Sequence, residues 1–378
     1  MTARKRHVLT LMAVGALLAT TGVSTATATS AASAAPAPDP CAERPATALD
    51  QRGDWQCVGL ATIADANAQP ETPTLTEEQA TQLDVARPVN YELGVAISPD
   101  GRLYRQTTPP PAGPVETRPS EAGGAEDEGE PRPARPVETR TIFGADDRTR
   151  RAATTSYPWR AMGSILAPNA TTSNCSGALI GPRHFLTAGH CIHQGGGGSG
   201  QGWYTNRKVA PGQNGINSFP NGLKNHAWYF SVSGWFDHAD PAYDYGMIVL
   251  EDRADTANLG WLGWRSTGHT GAHWTFGYPG WSYTCAASPS PSKRCDNYLY
   301  GDDNSPFLLT TNQIGTQADI QSGQSGSPIY KYNNGDRRVI GIVAYHGNWG
   351  TRVTSARSAN FCNWIRVSPS AFNDHPCE

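Results

Sequence analysis

Ser325 lies in the stretch Ser322–Tyr330, SGQSGSPIY, where glycines two residues before and one after it make a turn too tight for larger residues, and an apolar run follows. A serine hydroxyl attacks an acyl carbon only if a base takes its proton and backbone N–H groups already point at the oxyanion that forms. Gly323, lacking a Cβ, can turn its amide toward the space above the serine together with the amide of Ser325. The same tetrapeptide also suits an ordinary Gly/Ser-rich hairpin turn. Partners elsewhere in the chain must decide between the two.

Those partners lie upstream. Cys175–His193 reads CSGALIGPRHFLTAGHCIH, Asp244–Leu250 reads DYGMIVL, Gly277–Gly280 reads GYPG, and the serine stands in GQSGSP. Four motifs in this order resemble the trypsin-like secreted serine proteases, specifically the bacterial glutamyl endopeptidase-like branch, over about residues 141–378. Ser327 stands where an α/β-hydrolase elbow needs glycine, and the order His190, Asp244, Ser325 is the chymotrypsin order. The resemblance implies an all-β fold of two packed antiparallel six-stranded barrels with a C-terminal helix. It also implies roles: His190 as general base, Asp244 orienting its imidazole, Ser325 as nucleophile, and the Gly323 and Ser325 amides as oxyanion donors. Asp237 and Asp240 are rivals for the orienting role, but they sit in a His/Pro/Ala loop and read as solvated. Asp244 directly precedes a strand-like GMIVL. His193 reads as structural.

Three function classes follow: a secreted serine endopeptidase, an esterase using the same acyl chemistry, and a binding homologue without activity. A complete triad argues against the third. For specificity the resemblance divides. Glutamyl endopeptidases carry histidine after the Gly-Ile of the pocket strand, and here that position is Val343. The segment Gly341–Gly347, GIVAYHG, resembles trypsin's GIVSWG, and Asp319 lies six residues before Ser325, as trypsin's pocket aspartate does. The expected pocket residues are therefore Asp319, Val343, Tyr345 and His346. A carboxylate at its base favours a basic residue before the cut; glutamate is the alternative, with His346 swinging in. Gln324 occupies the place of the aspartate that pairs with the freed N-terminus in animal trypsin-like zymogens. An amide has no charge for that ion pair, so local hydrogen bonds must hold the oxyanion turn.

The remaining chain must deliver and position these groups. Arg4-Lys5-Arg6, an apolar segment from Val8 to about Val23 and the small residues Ala32-Ser33-Ala34 form a secretory signal over residues 1–34. Nothing later reaches the ~20 apolar residues of a membrane span. Residues 35–140 read as a propeptide. Its first part, 35–106, is a small module with a helix opening near Thr72–Leu83 and a strand over Val89–Ile97. Its second part, 107–140, is rich in Pro, Glu, Ala, Gly and Arg and should be disordered; PVETR occurs there twice, at Pro114–Arg118 and Pro136–Arg140, as candidate processing sites. The protease domain then runs from 141 to 378, its two halves joined near residues 251–262. A net charge of −3 gives no electrostatic case for nucleic acid. The partners are protein or peptide substrates and the chain's own propeptide, with the enzyme a monomer.

Eight cysteines at 41, 57, 175, 191, 285, 295, 362 and 377 fit an exported protein. Sequence leaves 105 connectivities open. Pairing nearest neighbours gives Cys41–Cys57, Cys175–Cys191, Cys285–Cys295 and Cys362–Cys377, and the resemblance independently implies the second, beside the catalytic histidine. No CxxC occurs, so zinc held by these cysteines is not expected, and no cofactor is called for.

Overall fold

The computed structural model describes residues 39–378, except 43, 66, 75–84, 86, 121–141, 143, 198–200, 254–255, 257, 305, 334, 347, 372–375 and 378. The expected signal segment, most of the expected helix at Thr72–Leu83 and the second PVETR copy lie outside the described residues. Three strands come from the N-terminal segment: β1 (Trp55–Leu60), β2 (Gly94–Ile97) and β3 (Arg102–Gln106). The strands that follow are β4 (Thr149–Arg151), β5 (Met162–Leu166), β6 (Cys175–Gly181), β7 (His184–Thr187), β8 (Lys208–Pro211), β9 (His226–Val232), β10 (Gly246–Leu250), β11 (Gly263–Trp264) and β12 (His273–Gly277). The last are β13 (Leu299–Asn304), β14 (Pro306–Leu309), β15 (Gln313–Thr316), β16 (Pro328–Asn333), β17 (Asp336–Tyr345) and β18 (Trp349–Arg352). A single turn of helix, α1 (Ser233–Phe236), follows β9, and α2 (Ser355–Val367) closes the chain.

The strands form two sheets, one for each half of a chymotrypsin-like fold. The first runs β1-β3-β2-β9-β10-β7-β6-β5-β8, and the second β14-β15-β18-β17-β16-β12-β13-β4 with β11 set against β17. Pairing is antiparallel except between β11 and β17. Each sheet has nine strands rather than the six expected. In the first, β5 to β10 are the expected barrel strands, and the addition is the N-terminal segment. A barrel strand with an open edge presents unpaired N–H and C=O groups. β2 satisfies that edge, pairing Val95 with Ser231 and Ala96 with Phe230 on β9.

The described residues between 39 and 106 therefore share a core with the rest of the chain instead of forming a module of their own. Trp55 meets Phe230 edge-on at 5.9 Å, and Phe230 stacks on Trp364 of α2 at 5.7 Å. Leu49, Trp55, Val95, Ile97 and Tyr104 belong to the same buried cluster as Phe230, Ile248 and Trp364. The rim is charged: Arg105 holds Asp237 at 2.6 Å and Arg87 holds Asp240 at 2.5 Å, so the two loop aspartates read as solvated are engaged. Only the second half of the expected Val89–Ile97 strand forms. Pro88 opens a 3-10 turn over Val89–Glu92, and Tyr91 stacks on His238 at 4.4 Å.

The expected disorder from residue 107 also stops short. Residues 114–120 lie along β11, where the Thr117 amide donates to the Trp264 carbonyl (2.8 Å) and the Ser266 amide donates to the Val115 carbonyl (2.8 Å). The first PVETR copy is thus tied down along β11 with Thr117 buried, while Val115, Glu116 and Arg118 stay exposed. The four nearest-neighbour disulfides are all present, and Cys362–Cys377 ties α2 to the chain end. Helix α2 starts at Thr354, whose hydroxyl accepts the Arg357 amide at 3.3 Å.

The shared core makes a quantitative expectation. Trp55→Ala should lower the stability of the whole chain by ~3–5 kcal/mol, read as one shifted urea transition. Two separate transitions, with only the first shifted, would mean that the N-terminal segment folds apart from the body.

Candidate active site

β7 ends at Thr187 and the chain turns through a one-turn 3-10 helix, Gly189–Cys191, that carries His190. Disulfide Cys175–Cys191 ties this turn to the start of β6. Asp244 precedes β10, which pairs with β7 in register Gly246 to Thr187, so the sheet brings the two side chains together. The Asp244 carboxylate is fully buried. Its Oδ1 accepts the His190 backbone amide at 2.7 Å, and its Oδ2 lies 2.7 Å from His190 Nδ1. Both oxygens are thus spent on one residue, which fixes the imidazole plane and leaves Nδ1 as the protonated nitrogen. Gly189 makes the approach possible, since a Cβ there would meet Trp235 Cδ1 at 2.7 Å and Asp244 Oδ1 at 3.0 Å. Asp237 and Asp240 take no part.

Ser325 comes from the other half of the molecule, in the turn before β16. Gly323 has φ +97°, and a Cβ there would lie 2.4 Å from the Gly280 nitrogen. Gly326 has φ +88°, with the Ser176 carbonyl only 2.0 Å from where a Cβ would stand. Only glycine fits either place. Ser176, at the start of β6, joins the two halves: its amide donates to the Ser325 carbonyl (2.7 Å) and its hydroxyl donates to the Gly323 carbonyl (2.8 Å). Nothing in the sequence singles out Ser176 except its place beside Cys175.

Ser325 Oγ lies 3.3 Å from Thr72 Oγ1, and His190 Nε2 is buried with no hydrogen-bond partner among the described residues. The threonine belongs to an N-terminal stretch that crosses the cleft. The Trp203 amide donates to Thr62 and the Ala64 amide to Trp203; farther on, the His346 amide donates to the Pro73 carbonyl at 3.0 Å. Ala68, Gln69 and Glu71 line a recess with His190, Gln194, Gln201 and Tyr204.

Beside Ser325 is a pocket walled by Ile320, Gln321, Ser322, Val343, Tyr345, His346 and Asn348, with Thr72 in it. Val343, Tyr345 and His346 are where the sequence reading expects them. Asp319 is not among the lining residues. Its carboxylate accepts the Asp147 amide at 3.3 Å, and its own amide donates to Asp302 at 2.6 Å. The Asp319 carboxylate is thus fully buried and bound to the backbone at 147, behind the residues that line this pocket. The titratable wall of the pocket is His346, whose pKa is lowered by burial and, less strongly, by His190 nearby.

A family model described as trypsin matches residues 147–365, more than half of the chain. The chain belongs to the trypsin family. Two relatives are each 32% identical to this trypsin-family protein. One, from Bacillus subtilis (strain 168), bears the name extracellular metalloprotease and aligns over 231 residues, 59% of this chain and 69% of that protein. The other is a glutamyl endopeptidase of Bacillus licheniformis, aligned over 245 residues, 60% and 69%. Among solved structures, a Glu endopeptidase in complex with MPD aligns with 24% identity and a TM-score of 0.48, covering 60% of this chain and 99% of that one. This chain is thus a trypsin-like serine endopeptidase. Among the described residues, the acid, histidine and cysteine groups within metal reach are Cys175/His190/Cys191 and Asp147/Asp302/Asp319. The two cysteines of the first are joined to each other and offer no thiolate.

His193, three residues beyond His190, is buried against Trp203 and Phe236, and burial pushes its pKa down to about 4. Its Nδ1 accepts the Gly195 amide at 2.9 Å, so the native ring is neutral at Nδ1. A histidine with a depressed folded pKa leaves stability intact above the unfolded value near 6.5 and loses it as pH falls toward the folded value. That sum is about 3 kcal/mol for His193, with His269 and His273 shifted the same way, also by burial. Urea midpoints should therefore drop from pH 6.5 to 4, and less steeply in His193→Gln.

Proposed function

We propose that this trypsin-family chain is a secreted preproenzyme that cleaves peptide bonds after glutamate, with Ser325 as nucleophile, His190 as base and Asp244 as its orienting partner. The carrying observation is the fully buried Asp244 carboxylate, both of whose oxygens are taken by His190. With Nδ1–H held there, Nε2 is the lone pair that takes the Ser325 proton as Oγ attacks the substrate carbonyl. The tetrahedral oxyanion sits between the amides of Gly323 and Ser325. His190 then hands the proton to the leaving amine, giving an acyl-enzyme that water, deprotonated by the same imidazole, releases.

Glutamate, rather than the basic residue favoured by the sequence, is supported by the pocket. His346 and the amide of Asn348 line it, and among the described residues no carboxylate does. An arginine or lysine would enter without a counter-charge, which is costly in a buried site. A glutamate carboxylate can draw a proton onto His346. The 32% identical glutamyl endopeptidase points the same way.

Residues 1–34 serve as the export signal and 35–140 as the propeptide, cut before Thr141 or Ile142, and the processed enzyme acts as a monomer. The stretch from Thr62 to Pro73 closes the cleft of the unprocessed chain. A substrate must leave its amine on the His190 side, so its N-terminal part lies along Val343–His346. The propeptide runs the other way: Thr62, Ala64 and Ala68 lie on the His190 side, near Trp203 and Arg207, and Pro73 lies on His346. Reversed polarity explains how Glu71 and Thr72 can rest beside Ser325 without being cut.

The decisive measurement is digestion of a denatured protein by the processed enzyme, with the residue before each cut read by mass spectrometry. Cuts should follow glutamate, and His346→Ala should lose that preference; cuts after arginine or lysine would overturn the pocket reading. Ser325→Ala should abolish turnover, and Asp244→Asn should lower kcat by ~10⁴ with the fold intact by circular dichroism. The unprocessed chain should show no cleavage between Glu71 and Thr72 on storage; accumulation of that cut would refute the reversed polarity.

A further inference from the structure

The residue directly before Ser325 is a neutral glutamine, yet the turn it belongs to is not held by neutral groups alone. Gln324 is fully buried, and its Oε1 accepts both the Gln321 amide (3.0 Å) and Arg148 Nη1 (3.3 Å). The Arg148 side chain is itself fully buried. Its guanidinium forks onto Asp146, with Nε to Oδ1 at 2.8 Å and Nη2 to Oδ2 at 2.9 Å. Nη2 also donates to Gln321 Oε1 (3.1 Å) and to the Thr284 carbonyl (2.9 Å). Asp146 in turn accepts the Ala286 amide at 2.9 Å.

We propose that Arg148 is the positioning residue of the oxyanion-binding turn, and that its pairing with Asp146 builds this turn without any contribution from a freed N-terminus. This rests on the assignment of the Gly323 and Ser325 amides as oxyanion donors. The guanidinium reaches Gln321 and Gln324, the two ends of the turn that contains Gly323. The Gln324 amide also donates to the Gln321 carbonyl at 3.0 Å, so the turn is closed by its backbone and clamped by the cation. Gly323 at φ +97° has no side chain to hold it; Ser176 fixes its carbonyl, and Gln321 and Gln324 fix the two ends of its turn. A planar fork of five donors is suited to bridging a carboxylate, two side-chain amides and a backbone carbonyl at once; an ammonium is not. Asp146 compensates the charge, which would otherwise be prohibitive in the interior. The pair is already formed in a chain that still carries residues 39–120, so latency comes from the occupied cleft and not from an unformed oxyanion site.

The test uses the full-length secreted chain, processed normally, and a glutamyl peptide ester and anilide. Arg148→Lys keeps the charge but loses the fork, and Gln324→Ala removes the turn's end of the contact while leaving Arg148 paired to Asp146. Losing one whole oxyanion donor costs ~10²–10³ in kcat, so a misdirected turn should cost about 10- to 100-fold. KM should stay within about twofold, because of the pocket walls only Gln321 touches Arg148, and Val343, Tyr345 and His346 are unaltered. Affinity for a glutamyl aldehyde, whose tetrahedral adduct needs the oxyanion site, should fall by the same factor as kcat. Affinity for a product peptide ending in glutamate should not. The double variant should lose no more than the worse single one, as members of one network do. Adding two residues before the mature N-terminus should leave kcat within about twofold. Folded Arg148→Lys enzyme with parental kcat and aldehyde affinity would overturn the proposal, as would losses confined to KM and product binding, additive losses, or an N-terminal extension that abolishes kcat. If Ser325→Ala kept full activity, the proposed function with Ser325 as nucleophile would fail instead. If Ser325→Ala is dead and Arg148→Lys is unaffected, only this proposal fails.

Discussion

A carboxylate removed entirely from water must be met by donors on both oxygens, and in this protein Asp244 is met by a single residue, His190, through its backbone amide and its ring. Much of the first sheet is arranged to satisfy that demand. The pairing of β10 with β7 sets the spacing, Gly189 lets Trp235 and the carboxylate close in, and the Cys175–Cys191 bridge holds the 3-10 turn. Ser176, next to that bridge, then carries the geometry across to the second half through its two bonds to the Gly323–Ser325 turn. The site is assembled from two sheets, and the crossing point is a few hydrogen bonds wide.

The N-terminal segment is bound by two kinds of interaction with different consequences. Its strands complete a sheet edge and bury Trp55, Val95 and Tyr104 in the core of the protease domain, which is the energetics of folding. Its connection across the cleft, from Thr62 to Pro73, is held by a few backbone bonds and a hydroxyl contact, which is the energetics of a ligand. A covering segment anchored at a distance by a large apolar contact can be weak where it lies over the catalytic groups and still stay in place, because the anchor raises its local concentration. The arginines at 87 and 105, paired with Asp240 and Asp237, stand at the rim between the two regimes.

The oxyanion turn and the pocket wall share Gln321 but differ in the charges set against them. Asp319 and Asp302 accept backbone amides, and Arg148 with Asp146 clamps the turn before the serine. Among the described residues, the polar walls of the pocket are Gln321, Ser322, Tyr345, His346 and Asn348. The same stretch of chain, residues 146–148, supplies both the clamp and the amide that occupies Asp319, so the start of the protease domain shapes the turn and the pocket together.

What the sequence by itself determined was local: glycines on either side of Ser325, a histidine next to a cysteine, an aspartate opening an apolar strand, and cysteines close enough in sequence to pair with their neighbours. These features depend on backbone torsions and on short loops, which neighbouring residues dictate. The fold class was legible for the same reason, through short strands and turns in family order. What only the tertiary structure decided was where groups distant in the chain meet. The orientation of Asp319 depends on an amide 172 residues away, so its six-residue spacing from Ser325 could not tell a pocket base from a buried structural acid. The N-terminal segment looked like a separate module because its strands alternate in the ordinary way, and no local signal says which free edge a strand will complete. Thr72 and Arg148 were invisible for the same reason: a threonine and an arginine in irregular segments carry no periodicity, and only the packing of distant chain brings one onto Ser325 and the other under Gln324.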